Sequence, residues 1–197
     1  MLKARIAVLV SGGGTNLQAI IDNRDAGNLP SGELALVIAD KAGVKAIDRA
    51  AAASIPCEVI IRKEEGFEAK VLEALERNNI DMVVLAGFLG ILSGDFIDRF
   101  AKPIINIHPA LIPSFCGKGM YGLRVHQAAL DYGVKLTGAT VHYVNAIPDG
   151  GKIIAQKAVD ILPGDTAEIL QRRVMEQAEW KLLPAAAEMV AKDITSR

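Results

Sequence analysis

Residues 5–18 read RIAVLVSGGGTNLQ: an apolar, β-branched run (Arg5–Val10), three consecutive glycines (Gly12, Gly13, Gly14), and the start of a helical pattern (Asn16–Asn23). A short apolar run that meets glycine and then changes to helical periodicity reads as strand, tight turn, helix. The same alternation recurs downstream. Leu34–Ala39, Glu58–Ile61, Met82–Ala86 and Ile104–Ile107 read as strands, and Val44–Ala53, Gly66–Asn78 and Ser93–Phe100 as helices between them. Near-continuous apolar strands separated by crossover helices predict an α/β fold, a mostly parallel twisted sheet with a Rossmann-like N-terminal half and helices on both faces.

The pattern changes after His108. Pro109–Gly122 is rich in Pro and Gly and reads as irregular, followed by a short helix, Val125–Tyr132. Leu136–Val144 and Lys152–Val159, joined by a Pro-Asp-Gly loop, predict an antiparallel hairpin. A long helix from Thr166 to about Val190, kinked or split at Pro184, closes the chain. With no repeat, linker or low-complexity tract, residues 1–197 are expected to form one domain.

Composition narrows the functional classes. The 22 Lys+Arg against 23 Asp+Glu give a net charge of −1, which argues against a broad basic surface for nucleic acid or membrane. A hydrophobic fraction of 51 % excludes a disordered chain. Cys57 and Cys116 form no zinc-type cluster and no disulfide framework. The apolar run Ile6–Val10 is too short for the core of a signal peptide, and nothing approaches the ~18 apolar residues of a membrane span, so a cytoplasmic location is expected.

Three constellations carry chemistry. In Ser11–Gln18 the glycines admit close approach of a ligand to backbone, and the helix N-terminus offers free N–H groups to a phosphate, with Thr15 and Asn16 able to add side-chain bonds. The spacing is not GxGxxG, because residue 17 is Leu, although Asp40 could imitate a ribose-binding acid; no Lys follows the glycines, so it is not a Walker A loop. Asn106 and His108 lie two apart at a strand end and project to one face, supplying a neutral donor and a titratable group. Asp149 reads first as an ordinary Asp-Gly turn; a functional role requires its loop to fold over His108. His126 on a helix and His142 on a strand read as packing residues, and Cys116 has no base partner. The apolar segment Phe88, Leu89, Gly90, Ile91, Leu92 is either core or the wall of a flat ligand's slot.

Taken together, SGGGTNLQ (11–18), VVLAGFLGILS (83–93), NIHPALIPSFCG (106–117), GATVHYV (138–144) and Asp149-Gly150-Gly151 closely resemble the phosphoribosylglycinamide formyltransferase family of folate-dependent enzymes. The resemblance covers most of the chain, in the family's order. It implies formyl transfer from 10-formyltetrahydrofolate, as co-substrate, to glycinamide ribonucleotide in purine biosynthesis, with no metal. It places Asn106, His108 and Asp149 at catalytic positions, Gly12–Asn16 at the substrate phosphate, and Glu179 near the glycinamide. Phe88–Leu92 with Asn106 would line the pterin slot, and Arg62 would meet the folate tail. The implied partners are these small molecules, with no nucleic acid or membrane, in a monomer or homodimer.

The chain departs from the family at Glu64 and at Gly90, positions where relatives carry Arg, and at Lys152, where Pro is usual. Related enzymes acting on methionyl-tRNA or hydrolysing formyltetrahydrofolate carry a further domain for which 197 residues are expected to leave no room. An NAD-dependent oxidoreductase and a non-catalytic nucleotide-binding module remain as readings of the glycine loop alone.

Overall fold

The computed structural model describes residues 2–196; Met1 and Arg197, within the expected 1–197 domain, lie outside them. Seven strands, β1 (Ala4–Val10), β2 (Gly32–Ala39), β3 (Cys57–Val59), β4 (Met82–Leu85), β5 (Ile104–His108), β6 (Leu136–Tyr143) and β7 (Ile153–Asp160), form one sheet in the order β3-β2-β1-β4-β5-β6-β7. Pairs from β3 to β5 are parallel, and β6 and β7 add on antiparallel. The predicted α/β sheet and C-terminal hairpin are both present.

Helices cover both faces because the parallel strands are apolar on both. One face packs Ile6, Val8, Met82, Val84 and Ile105 against α1 (Thr15–Asp25), α2 (Lys45–Ala52) and the C-terminal helices. The other packs Leu9, Ile38, Val83 and Leu85 against α3 (Phe67–Arg77) and α4 (Gly94–Phe100). Such burial contributes roughly 1.5–3 kcal/mol per large apolar side chain before chain entropy is set against it. α5 (Leu123–Tyr132) follows the Pro/Gly-rich segment and packs along α6 (Ala167–Val174).

Among the differences from the sequence reading, two have a clear structural cause. The third strand is shorter and earlier than Glu58–Ile61: at the sheet edge it has a single partner, β2, and pairing ends at Val59. The closing helix is not one α-helix broken at Pro184. Thr166 caps it, accepting from Ile169 N–H, but a π turn at Met175–Glu179 interrupts it, and α7 runs from Trp180 to Thr195 with Pro184 inside. The π turn lies just ahead of the proline. An extra residue in a helical turn shifts the side chains around it, and such turns cluster at functional sites.

Candidate active site

Most of the sequence-derived positions gather at the carboxyl ends of β1, β4 and β5, where an open α/β sheet places its ligands. A cavity of about 370 Å³ opens there, lined among others by Asn16, Phe88, Leu89, Gly90, Ile91, Asn106, His108, Asp149 and Glu179.

At its centre, β5 carries Asn106 and His108 and pairs antiparallel with β6, so that Asn106 faces His142 and His108 faces Thr140. Thr140 is fully buried and fixes the chain beyond His108: its hydroxyl donates to the Ala110 carbonyl at 2.7 Å and accepts from the Ile112 N–H at 3.1 Å. Asp149 comes over this strand end from the β6–β7 loop, with φ at +56°. The loop is held closely, because a Cβ on Gly151 would fall 1.6 Å from the Tyr143 carbonyl oxygen, a space only glycine leaves.

The carboxylate of Asp149 sits between two imidazoles. Its Oδ2 is 3.5 Å from His108 Nδ1 and accepts from the Gly117 N–H at 2.8 Å, while its Oδ1 is 3.6 Å from His142 Nε2. His142 Nδ1 lies 2.8 Å from the carbonyl of Tyr143, and Asn106 Nδ2 lies 3.2 Å from His142 Nε2. His142 Nε2 thus stands between the Asn106 amide and the Asp149 carboxylate. His108 Nε2 is 2.9 Å from the Phe115 carbonyl. Residues 115 and 117 thus hold His108 and Asp149 respectively.

Burial sets the charges. It pushes His108 down, and this outweighs the upward pull of Asp149 and of the Phe115 carbonyl, so the imidazole titrates below its ordinary range and is neutral at pH 7. Burial alone would raise Asp149, but His142, the Gly117 N–H and His108 together hold it below the usual carboxylate range. Glu179 is 6 % exposed, and burial pushes it up against the opposing bond from Asn16.

The glycine loop forms the other end. Gly14, at φ +70°, turns the chain into α1 so tightly that a Cβ there would meet Ala46 Cβ at 2.8 Å. The loop is tied to α2, whose Arg49 Nε donates to the Gly13 carbonyl at 2.9 Å and whose Ala46 N–H donates to the Gly12 carbonyl. Gly12 and Gly13 have open space where a side chain would stand. Neither Thr15 nor Asn16 caps α1; Thr15 is exposed, and Asn16 Nδ2 donates to Glu179 Oε2 at 2.7 Å, leaving the buried Asn16 Oδ1 without a partner.

Several predicted residues stand apart from the cavity. Gly12, Gly13, Gly14 and Thr15 flank it without lining it, and Leu92 is buried in the core beside Phe96. Arg62 also lies outside the lining; its Nε is 3.4 Å from the buried Asp40 carboxylate. Asp40 is therefore spoken for as an ion-pair partner rather than presented to a ribose. His142 is the member that sequence reasoning missed, and its one signal is the strand register that sets it opposite Asn106. Among the described residues, no group of three or more His, Cys, Asp or Glu is arranged to hold a metal ion, and no helix is long and apolar enough to cross a membrane.

Comparison with known proteins gives a consistent result. Residues 4–187 match the Formyl transferase family. The chain is 41 % identical over 184 residues to a phosphoribosylglycinamide formyltransferase of Haemophilus influenzae, covering 91 % of this chain and 84 % of that protein. It is 45 % identical over 193 residues to the human trifunctional purine biosynthetic protein adenosine-3, covering 96 % of this chain but only 18 % of that much longer protein. Its structure superposes on glycinamide ribonucleotide transformylase 1 from Symbiobacterium toebii with a TM-score of 0.89 at 38 % identity, covering 97 % of this chain and 89 % of the other.

Proposed function

The chain belongs to the phosphoribosylglycinamide formyltransferase family of formyl transferases, and from that premise we propose that it transfers the formyl group of 10-formyltetrahydrofolate to the amine of glycinamide ribonucleotide in purine biosynthesis. The observation that carries this reading is the shared cavity, in which the Asn106–His108–Asp149–His142 cluster and the Asn16–Glu179 pair line a single space. Direct transfer needs both ligands in that space at once.

The acceptor amine is itself the nucleophile, so no Ser or Cys is required. It attacks the formyl carbon, a C–N bond forms, and the carbonyl oxygen becomes an oxyanion. Asn106 supplies a preorganised N–H to that oxygen. His108 enters neutral and gains a proton as negative charge develops beside it, while the ionised Asp149 stabilises the resulting imidazolium. The amine's proton passes through this pair to N10 of the folate as the C–N10 bond breaks. The second imidazole, His142, orients the Asn106 amide and the Asp149 carboxylate. At the other end, the open space over Gly12 and Gly13 suits the substrate phosphate, and the Asn16–Glu179 pair suits the glycinamide. Phe88–Ile91 and Ile147–Pro148 offer an apolar slot for the pterin.

The test is transfer of the formyl group with glycinamide ribonucleotide, water and methionyl-tRNA offered as competing acceptors. Formyl-glycinamide ribonucleotide as the product supports the reading. Formate or formylmethionyl-tRNA as the main product overturns it.

A further inference from the structure

The catalytic reading leaves a buried cavity group unused. His126, on α5, is fully buried, and neither of its ring nitrogens has a hydrogen-bond partner among the described residues. It lines the same cavity as His108 and Asp149. Buried polar groups in folded proteins are almost always paired, and a wall that merely packs is served as well by an apolar ring. An imidazole with both nitrogens vacant at a ligand cavity therefore points to a partner that arrives with the ligand.

The location narrows which ligand that is. α5 packs along α6, whose Gln171 lines the cavity, and the π turn that follows carries Met175 and Glu179 to the same space. Glu179 in turn holds Asn16 at the head of α1. His126 thus lies near His108 on the α6 side of the cavity, the side that also carries Gln171, Met175 and Glu179. Burial, reinforced by the nearby His108, pushes the His126 pKa down to about 4, so the ring stays neutral under working conditions. A neutral imidazole presents one N–H donor and one acceptor nitrogen and no charge. That pair matches a hydroxyl group and discriminates poorly for a phosphate.

We propose that His126 is a ligand-contacting residue that hydrogen-bonds a ribose hydroxyl of the ribonucleotide acceptor. The inference rests on the acceptor assigned under Proposed function. It makes the buried imidazole a specificity element that the ligand's hydroxyl completes.

The experiment measures calorimetric Kd and steady-state KM for glycinamide ribonucleotide and for its 2′-deoxy and 3′-deoxy analogues, on wild type, His126→Phe and His126→Gln. His126→Phe is expected to weaken binding of the ribonucleotide about tenfold, which is roughly 1.4 kcal/mol. Its melting temperature should rise and its KM for the formyl donor should hold. His126→Gln, which keeps a donor and an acceptor, should recover most of the loss. One deoxy analogue should lose about as much on wild type and nothing further on His126→Phe, because both changes remove the same bond. Unchanged ribonucleotide affinity in His126→Phe, or full additivity of the two losses, overturns the proposal. Should His126→Phe not fold, the deoxy analogues on wild type and His126→Gln decide: equal affinity for all three ligands overturns it. Failure of the wild type itself to bind or formylate the ribonucleotide is a separate result that removes the acceptor assignment, and this inference with it.

Discussion

His142 Nε2 lies 3.6 Å from Asp149 Oδ1, on the carboxylate oxygen opposite the one that faces His108. A single carboxylate therefore serves two imidazoles carried by adjacent antiparallel strands. Its position depends on three devices: the register that opposes His142 to Asn106, the close packing at Gly151, and the Gly117 N–H. Asp149 pulls the His108 titration upward, against the larger effect of burial.

Replacing Asp149 by Asn keeps the shape and removes the charge. His108 loses the neighbour that pulls its pKa up, so it should titrate at still lower pH. Turnover should fall by about 10²-fold or more, the scale typical of losing a positioned proton-transfer group. Histidine NMR titration of the variant checks the first expectation and kcat the second. A His108 pKa unmoved by the substitution would contradict the coupling.

In the proposed mechanism Asn106 binds the developing oxyanion and His108 relays the amine's proton, so Asn106→Ala and His108→Ala should each lower kcat by about 10²–10³-fold. Circular dichroism should show the fold retained in both. Near-normal turnover in either variant would sink the catalytic assignment.

The three loop glycines should separate by role. Gly14→Ala places a Cβ against Ala46 and a non-glycine residue at φ +70°, so it should destabilise the protein by at least ~1–2 kcal/mol. Gly12→Ala and Gly13→Ala meet nothing within 4 Å and should fold normally. Their added methyl groups stand where the substrate phosphate is proposed to approach, so the KM for the ribonucleotide should rise. Thermal melts and KM values for the three variants check this division.

Much of this architecture is legible in the sequence because parallel strands buried on both faces read as unbroken apolar runs. The hairpin is legible from its Pro-Asp-Gly loop. What sequence periodicity could not supply is register and phase. A strand histidine such as His142 looks like packing until the pairing that sets it beside Asn106 is known. Glu179 was reached only through the family resemblance. It faces Asn16 from within a π turn that a 3.6-residue period cannot announce, while Pro184, the break expected from the sequence, lies inside α7. Arg62, which the resemblance places at the folate tail, is paired with the buried Asp40, a partner that sequence spacing does not announce.

Acid stability should be governed by the buried histidines. His126 titrates near 4 when folded and near 6.5 when unfolded, so the unfolded chain takes up the proton first as pH falls. Stability should therefore decline between pH 6.5 and 4, by roughly 3 kcal/mol from this residue, and His108 adds in the same direction. Glu179 opposes them: its raised folded pKa contributes stability that is fully present below pH 4.5 and lost as pH rises through the folded value. Asp149, held low, loses its contribution only below about 3.8. Melting temperatures from pH 4 to 8 should fall toward acid in wild type and less steeply in His126→Phe. A slope unaffected by the substitution would contradict the assignment.

Direct transfer requires the cavity to hold the formyl donor and the amine acceptor together. Its most direct measurement is a single-turnover reaction with 10-formyltetrahydrofolate labelled in the formyl carbon, in the presence of glycinamide ribonucleotide. Stoichiometric label should appear in formyl-glycinamide ribonucleotide and none in formate. Label appearing as formate, or remaining on the folate, would contradict it.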